Sequence, residues 1–291
     1  MIADIVLLTV AAIALIIASI TDIKTREVPD WLNFSLIFTG LGIRLIYSSM
    51  TWDWMYSLYG LFGLLAFVIL GYVMFYAGQW GGGDSKLLMG LGALIGLELN
   101  FNKLPLLIIL LINIVFIGAV YGLFYTIVKA ISHRKEFFKE YKNYFEKSNI
   151  IKYYSIAAMA LVLVFVGIFG VFYQQLIISL IFVILILAIY SSIYVLFFVK
   201  AVEKTAMLRL VKPEELTEGE WIAKDIIINK RRIAGPKDLG ISKKQIKQLI
   251  AYKQKGKIQK VLIKIGIPFV PSFLAAFIIT IIWGAWWLFL F

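Results

Sequence analysis

The chain is dominated by repeated apolar runs that approach or exceed the length needed to cross a bilayer. A hydrocarbon core of about 30 Å takes roughly 20 residues in a helix. Inside it every backbone polar group must be satisfied within the protein, which leaves few folds. Apolar residues make up 62% of the sequence, against about 45–50% in a soluble domain. These runs predict an all-α polytopic membrane protein of about eight transmembrane helices. A small cytosolic mixed α/β domain is expected before the last of them.

The predicted spans cover residues 5–20, 31–47, 56–76, 85–97, 104–128, 155–173, 176–199 and 268–291. The fourth is short, at about 20 Å for its length. Gly92 and Gly96 give it small-residue spacing suited to close helix packing. Spans six and seven are expected to join near Gln174-Gln175, and the weak point of the topology is Ser155 to Tyr173, where a different helix count would change the C-terminal arrangement. Five regions follow: a membrane catalytic core over 1–128, a basic cytosolic loop or amphipathic helix over 129–154, two more spans over 155–199, a cytosolic domain over 200–266, and a last helix over 267–291. Within the cytosolic domain, residues 221–228 could contain a strand, and Ser242 is placed to cap a basic helix that Gly256 stops. Met1-Ile2-Ala3-Asp4 shows neither a basic leader nor a small-residue cleavage site. The first run is therefore read as a retained helix rather than a removed signal peptide.

Charge sets the predicted orientation. Of the 29 Lys and Arg residues, 27 fall on one side of an eight-span arrangement, and only Arg44 and Lys103 lie toward the other. The positive-inside rule makes the crowded side cytosolic. The net charge of +12 is then explained by topology and by attraction to anionic lipid, and no nucleic-acid partner is expected. Cysteine is absent and His133 is the single histidine. Disulfides, thiolate zinc sites and histidine metal clusters are excluded on that basis, and no metal or organic cofactor is expected.

Two acids carry the chemistry. Asp84 follows Trp80-Gly81-Gly82-Gly83 at the mouth of the fourth span, and Asp22 closes the first. A carboxylate is costly near the bilayer, so one kept there points to function. Gly81 and Gly83 are candidates for structural support or substrate approach, since a glycine lets another backbone come close. Taken singly, Asp84 reads equally as a helix cap and Asp22 as an interfacial acid. Together, on one membrane face, they form a candidate catalytic pair. Paired carboxylates hydrolyse a peptide bond when one, ionised, takes a proton from water while the other, protonated, polarises the carbonyl. Such a pair titrates as a unit, so neither role belongs to one residue. Asp30 is a candidate N-cap for the second span, and Lys86 a snorkelling interfacial charge.

At these residues the chain resembles a known family. Gly81-Gly82-Gly83-Asp84 is similar to the Gly-x-Gly-Asp signature of polytopic membrane aspartyl peptidases. The segment Asp22-Ile23-Lys24-Thr25-Arg26-Glu27-Val28-Pro29-Asp30 resembles the first-aspartate loop of type IV prepilin peptidases. Gly83-Asp84-Ser85-Lys86-Leu87, with Gly90 and Gly92, resembles their second motif. The likeness covers mainly residues 1–130; Ile267-Pro268-Phe269-Val270-Pro271 resembles their proline-containing C-terminal segment more weakly. It implies cleavage of class III signal peptides from prepilins or archaeal preflagellins, with Asp22 and Asp84 catalytic. The chain lacks the Cys-x-x-Cys region common in bacterial members, so it resembles the archaeal, peptidase-only branch. The resemblance leaves oligomeric state and the role of 200–266 open.

Two other readings fit fewer residues. Presenilin-like intramembrane proteases share Gly-x-Gly-Asp, but their first aspartate follows a tyrosine, whereas Thr21 precedes Asp22. An ion transporter would use the two acids as a binding site, and would be expected to carry them deeper in the bilayer within repeated, broken helices.

Overall fold

Helices begin and end where the sequence interrupts its apolar runs. In the computed structural model, residues 2–99, 103–147, 149–172 and 176–290 are described. Helix α1 (Ile2–Thr25) stops before Arg26, whose left-handed φ of 59° turns the chain. Pro29, extended with ψ 135°, precedes α2 (Asp30–Thr51). Asp30 is thus the first helical residue and not the N-cap, and its carboxylate pairs with Lys86 at 2.6 Å. Trp52, also left-handed at φ 57°, ends α2. Asp53 caps α3 (Trp54–Tyr76) by accepting the Met55 amide at 3.2 Å. Then come α4 (Gly82–Ile95), α5 (Leu106–Ser132), α6 (Arg134–Lys147) and α7 (Asn149–Phe165), which continues as a π-helix over Val166–Phe172. Between helix α8 (Leu176–Val202) and α10 (Val270–Trp283) lies a mixed α/β segment.

By length and composition, five helices among the described residues are able to cross a membrane: α1, α2, α3, α5 and the stretch Leu180–Met207. Helices α7 and α10 are apolar but shorter, and α4, like α10, has 14 residues. These are the three that separate this count from the expected eight. The expected joint at Gln174-Gln175 lies outside the described residues.

Helix α4 is the centre of the main core. Leu87, Leu88, Leu91 and Leu94 are wholly buried against Leu15 and Ala18 of α1, Leu36 of α2, Phe67 of α3 and Leu107 of α5. Phe273 and Phe277 of α10 complete this cluster. The approach of α3 to α4 depends on small residues. A Cβ on Gly92 would stand 2.4 Å from the Gly63 carbonyl oxygen, so the two backbones meet with no side chain between them. Helices α7 and α8 stand apart from this bundle, and the apolar window of α8 is only 6% buried. At its end α8 packs on α6 through Phe198 and Phe137, 5.3 Å between rings.

The α/β segment has its own apolar core, including Val211, Ile222, Leu249, Val261 and Ile263. Strands β1 (Leu208–Val211), β2 (Trp221–Ile222), β3 (Ile226–Ile228), β4 (Arg231–Ala234) and β5 (Val261–Lys264) make two small sheets. One is antiparallel with order β1-β5-β2, and the other is the hairpin β3-β4. The strand expected within 221–228 is therefore two strands in different sheets. The hairpin turns at Asn229 and Lys230, both with positive φ (52° and 63°), as a two-residue turn matched to strand twist requires. Helix α9 (Lys243–Gln254) starts at Ser242, whose hydroxyl accepts the Gln245 amide. Gly256, at φ +70°, follows its C-cap as expected.

Candidate active site

Both acids sit at helix ends, and both ends lie on one side of the bundle. Asp84 is the third residue of α4, and its Oδ2 accepts the Gly81 amide at 3.1 Å. The carboxylate thereby satisfies a donor that the helix start leaves unpaired, where the helix dipole also favours negative charge. Asp22 lies in the last turn of α1 and is 4% exposed. Its Oδ2 accepts the amide of Val270 at 2.9 Å, the first residue of α10. Each carboxylate is thus oriented by a backbone amide. Among the described residues, neither takes a hydrogen bond or ion pair from a side chain. The two acids are within electrostatic reach of each other.

The segments around the acids are tied together. Gly83 faces Val28 in the turn after Asp22, and a Cβ there would be 3.1 Å from the Val28 nitrogen. Arg26 donates to the carbonyl of Gly266, fixing the approach to α10. Beneath the glycine-rich turn, Trp80 packs against Phe273 at 5.5 Å and Phe269 at 6.3 Å. The α/β segment also closes on this turn: a Cβ on Gly78 would lie 3.2 Å from the ring of Trp221 in β2. The neighbouring Glu220 is within electrostatic reach of Glu27. Lys86 pairs with Asp30 at 2.6 Å.

Of the sequence candidates, Asp22, Asp84, Gly81 and Gly83 all come to this one region. The Val270 amide was not among them. Its signal was present in Pro268 and Pro271, which mark a helix start, but a backbone donor has no residue type to betray it. Arg44 was read only as a charge on the far side. It is 4% exposed, buried within the bundle. Among the described residues no group of three or more His, Cys, Asp or Glu is placed to hold a metal ion.

Fold and site together define a polytopic helical membrane protein with two acids at one end of its bundle. Residues 9–125, which contain both, match the type IV leader peptidase family. The segment is similar to the preflagellin peptidase of Methanocaldococcus jannaschii, 40% identical over 107 residues, covering 33% of this chain and 45% of that protein. It is similar to that of Methanococcus maripaludis at 39% over 108 residues, covering 33% and 46%. For the preflagellin peptidase of Methanococcus voltae the figures are 38% over 86 residues, 30% and 36%. The chain thus spans less than half the length of the curated relatives it matches. No solved structure matches it.

Proposed function

We propose that the chain is a membrane aspartyl endopeptidase that removes the short basic leader of preflagellin or type IV prepilin precursors at the cytosolic membrane boundary. The observation that carries this reading is that Asp22 and Asp84 lie within electrostatic reach of each other, inside the segment matching a leader peptidase family. Preflagellin peptidases as relatives support the substrate class.

In this mechanism water lies between the two carboxyl groups. The ionised one takes a proton from it as its oxygen attacks the scissile carbonyl carbon. The protonated one donates to the carbonyl oxygen, giving a neutral tetrahedral diol. The acquired proton then passes to the amide nitrogen, the C–N bond breaks, and the second carboxyl regains its proton from the diol. The pair ends as it began, and neither role is fixed to one residue. The bonds from Gly81 and Val270 hold both groups in place, which limits reorganisation during reaction.

The membrane arrangement belongs to the same proposal. Helices α4, α7 and α10 join the five longer ones as membrane-embedded segments, making eight. The basic loops and the α/β segment face the cytosol, by the positive-inside rule.

The test is processing in membranes. Vesicles holding the full chain are mixed with preflagellin and prepilin precursors, and the products are weighed by mass spectrometry. Loss of the leader at a single bond is expected. Intact precursors in the presence of verified, folded protein would exclude them as substrates.

A further inference from the structure

Helix α4 starts at the candidate site and ends inside the bundle. At 14 residues it is about 20 Å long, too short to reach the opposite surface. Its last carbonyls have no partner within the helix itself. Arg44 of α2 supplies partners for them. Its Nε donates to Ala93 O at 3.2 Å, and its Nη2 to Leu94 O at 2.9 Å and Ile95 O at 2.6 Å. Nη1 donates to Tyr56 O at 3.1 Å, and the guanidinium stands 4.6 Å from the Tyr56 ring centre.

The surroundings are shaped for this side chain. A Cβ on Gly60 would be 2.4 Å from Arg44 Cδ, and one on Gly96 would be 2.7 Å from its Nη2. Tyr56 in turn donates its hydroxyl to Asp4 at 2.8 Å. The carboxylates of Asp4 and Glu98 are within electrostatic reach of the guanidinium. A cation at a helix C-terminus is also favoured by the dipole. The planar fork reaches four carbonyls from three separate nitrogens, a spread that the single nitrogen of a lysine ammonium does not reproduce.

A rigid helix carries a displacement at one end to the other. Asp84 sits on the first turn of α4, and the guanidinium grips the last. We propose that Arg44 is a positioning residue: from the far end of α4 it sets the placement of Asp84 relative to Asp22. The proposal rests on the peptidase reading for its catalytic meaning. It does not rest on it for the geometry.

The test uses the full chain, which has no native cysteine. Spin labels on Lys24→Cys and Lys86→Cys report the distance between the end of α1 and the start of α4. In parallel, kcat and KM are measured for unlabelled Arg44→Lys, Arg44→Met and Gly60→Ala, the last of which pushes the guanidinium aside without removing it. The expected result is a shifted or broadened label distance, with kcat down about 10²-fold and KM nearly unchanged. An unaltered distance in a folded Arg44→Met protein overturns the inference, as does full kcat. Failure of all three variants to fold also overturns it, because Arg44 would then hold the bundle and not the site. If wild type cleaves nothing, the peptidase reading fails, and the label distance still decides the positioning role.

Discussion

An added methyl group on Gly83 would stand 3.1 Å from the Val28 nitrogen, so the two acid-bearing segments would have to give by a few tenths of an ångström. Gly83→Ala is therefore expected to lower cleavage more than it lowers stability. Overpacking of this kind costs about 1–3 kcal/mol, whereas a small displacement of a reacting group costs about 10²-fold in rate. Initial rates beside thermal melts of the same detergent preparation check this. A variant with full activity would show that the separation of the two segments is not critical. At this scale the acids were legible because ionisable groups beside apolar runs are conspicuous. The donors that orient them were not. Gly81 could be placed by its spacing to Asp84, but the Val270 amide lies 248 positions from Asp22, and nothing local joins them. Arg44 was seen as a charge and missed as a cap, since the carbonyls it satisfies belong to a helix about 50 positions away.

Among the elements, α4 is held by close backbone packing against α3. Gly92→Ala would place its methyl 2.4 Å from the Gly63 carbonyl oxygen, and backbone cannot rotate away as a side chain can. The expected outcome is a lower melting temperature and yield. Gly122→Ala, with nothing within 4 Å of its Cβ, is expected to be neutral. Equal melting temperatures for the two would contradict the packing account. Gly92 and the shortness of its helix were both legible from spacing and run length. Helix ends were read less well. Asp30 is a residue type that favours N-caps, yet Pro29 takes that position and leaves Asp30 to pair with Lys86. The strands of the α/β segment were blurred because they are only two to four residues long. No alternation can establish itself over that length.

At the scale of the whole molecule, the α/β segment rests on the glycine-rich turn through Trp221 and Gly78. Its Glu220 carboxyl is pushed above the usual range, first by burial and further by the charge of Glu27. The folded state then binds the proton more tightly than the unfolded chain. Stability from this group is fully present below the ordinary glutamate value, 4.5, and is lost as pH rises through the raised folded value. Glu220→Gln is expected to gain stability relative to wild type over that rise, as followed by tryptophan fluorescence during melting. Parallel curves at all pH values would contradict it. That this segment meets the glycine-rich turn was not readable from sequence, because Trp221 and Gly78 are joined by folding alone.

The central claim is that Asp22 and Asp84 act as one hydrolytic pair. Its most direct test places purified wild type, Asp22→Asn and Asp84→Asn in liposomes with one preflagellin precursor under identical conditions. Cleavage at the leader boundary by wild type, and by neither folded variant, is the predicted result. Normal turnover by either variant would remove that aspartate from the mechanism and contradict the account.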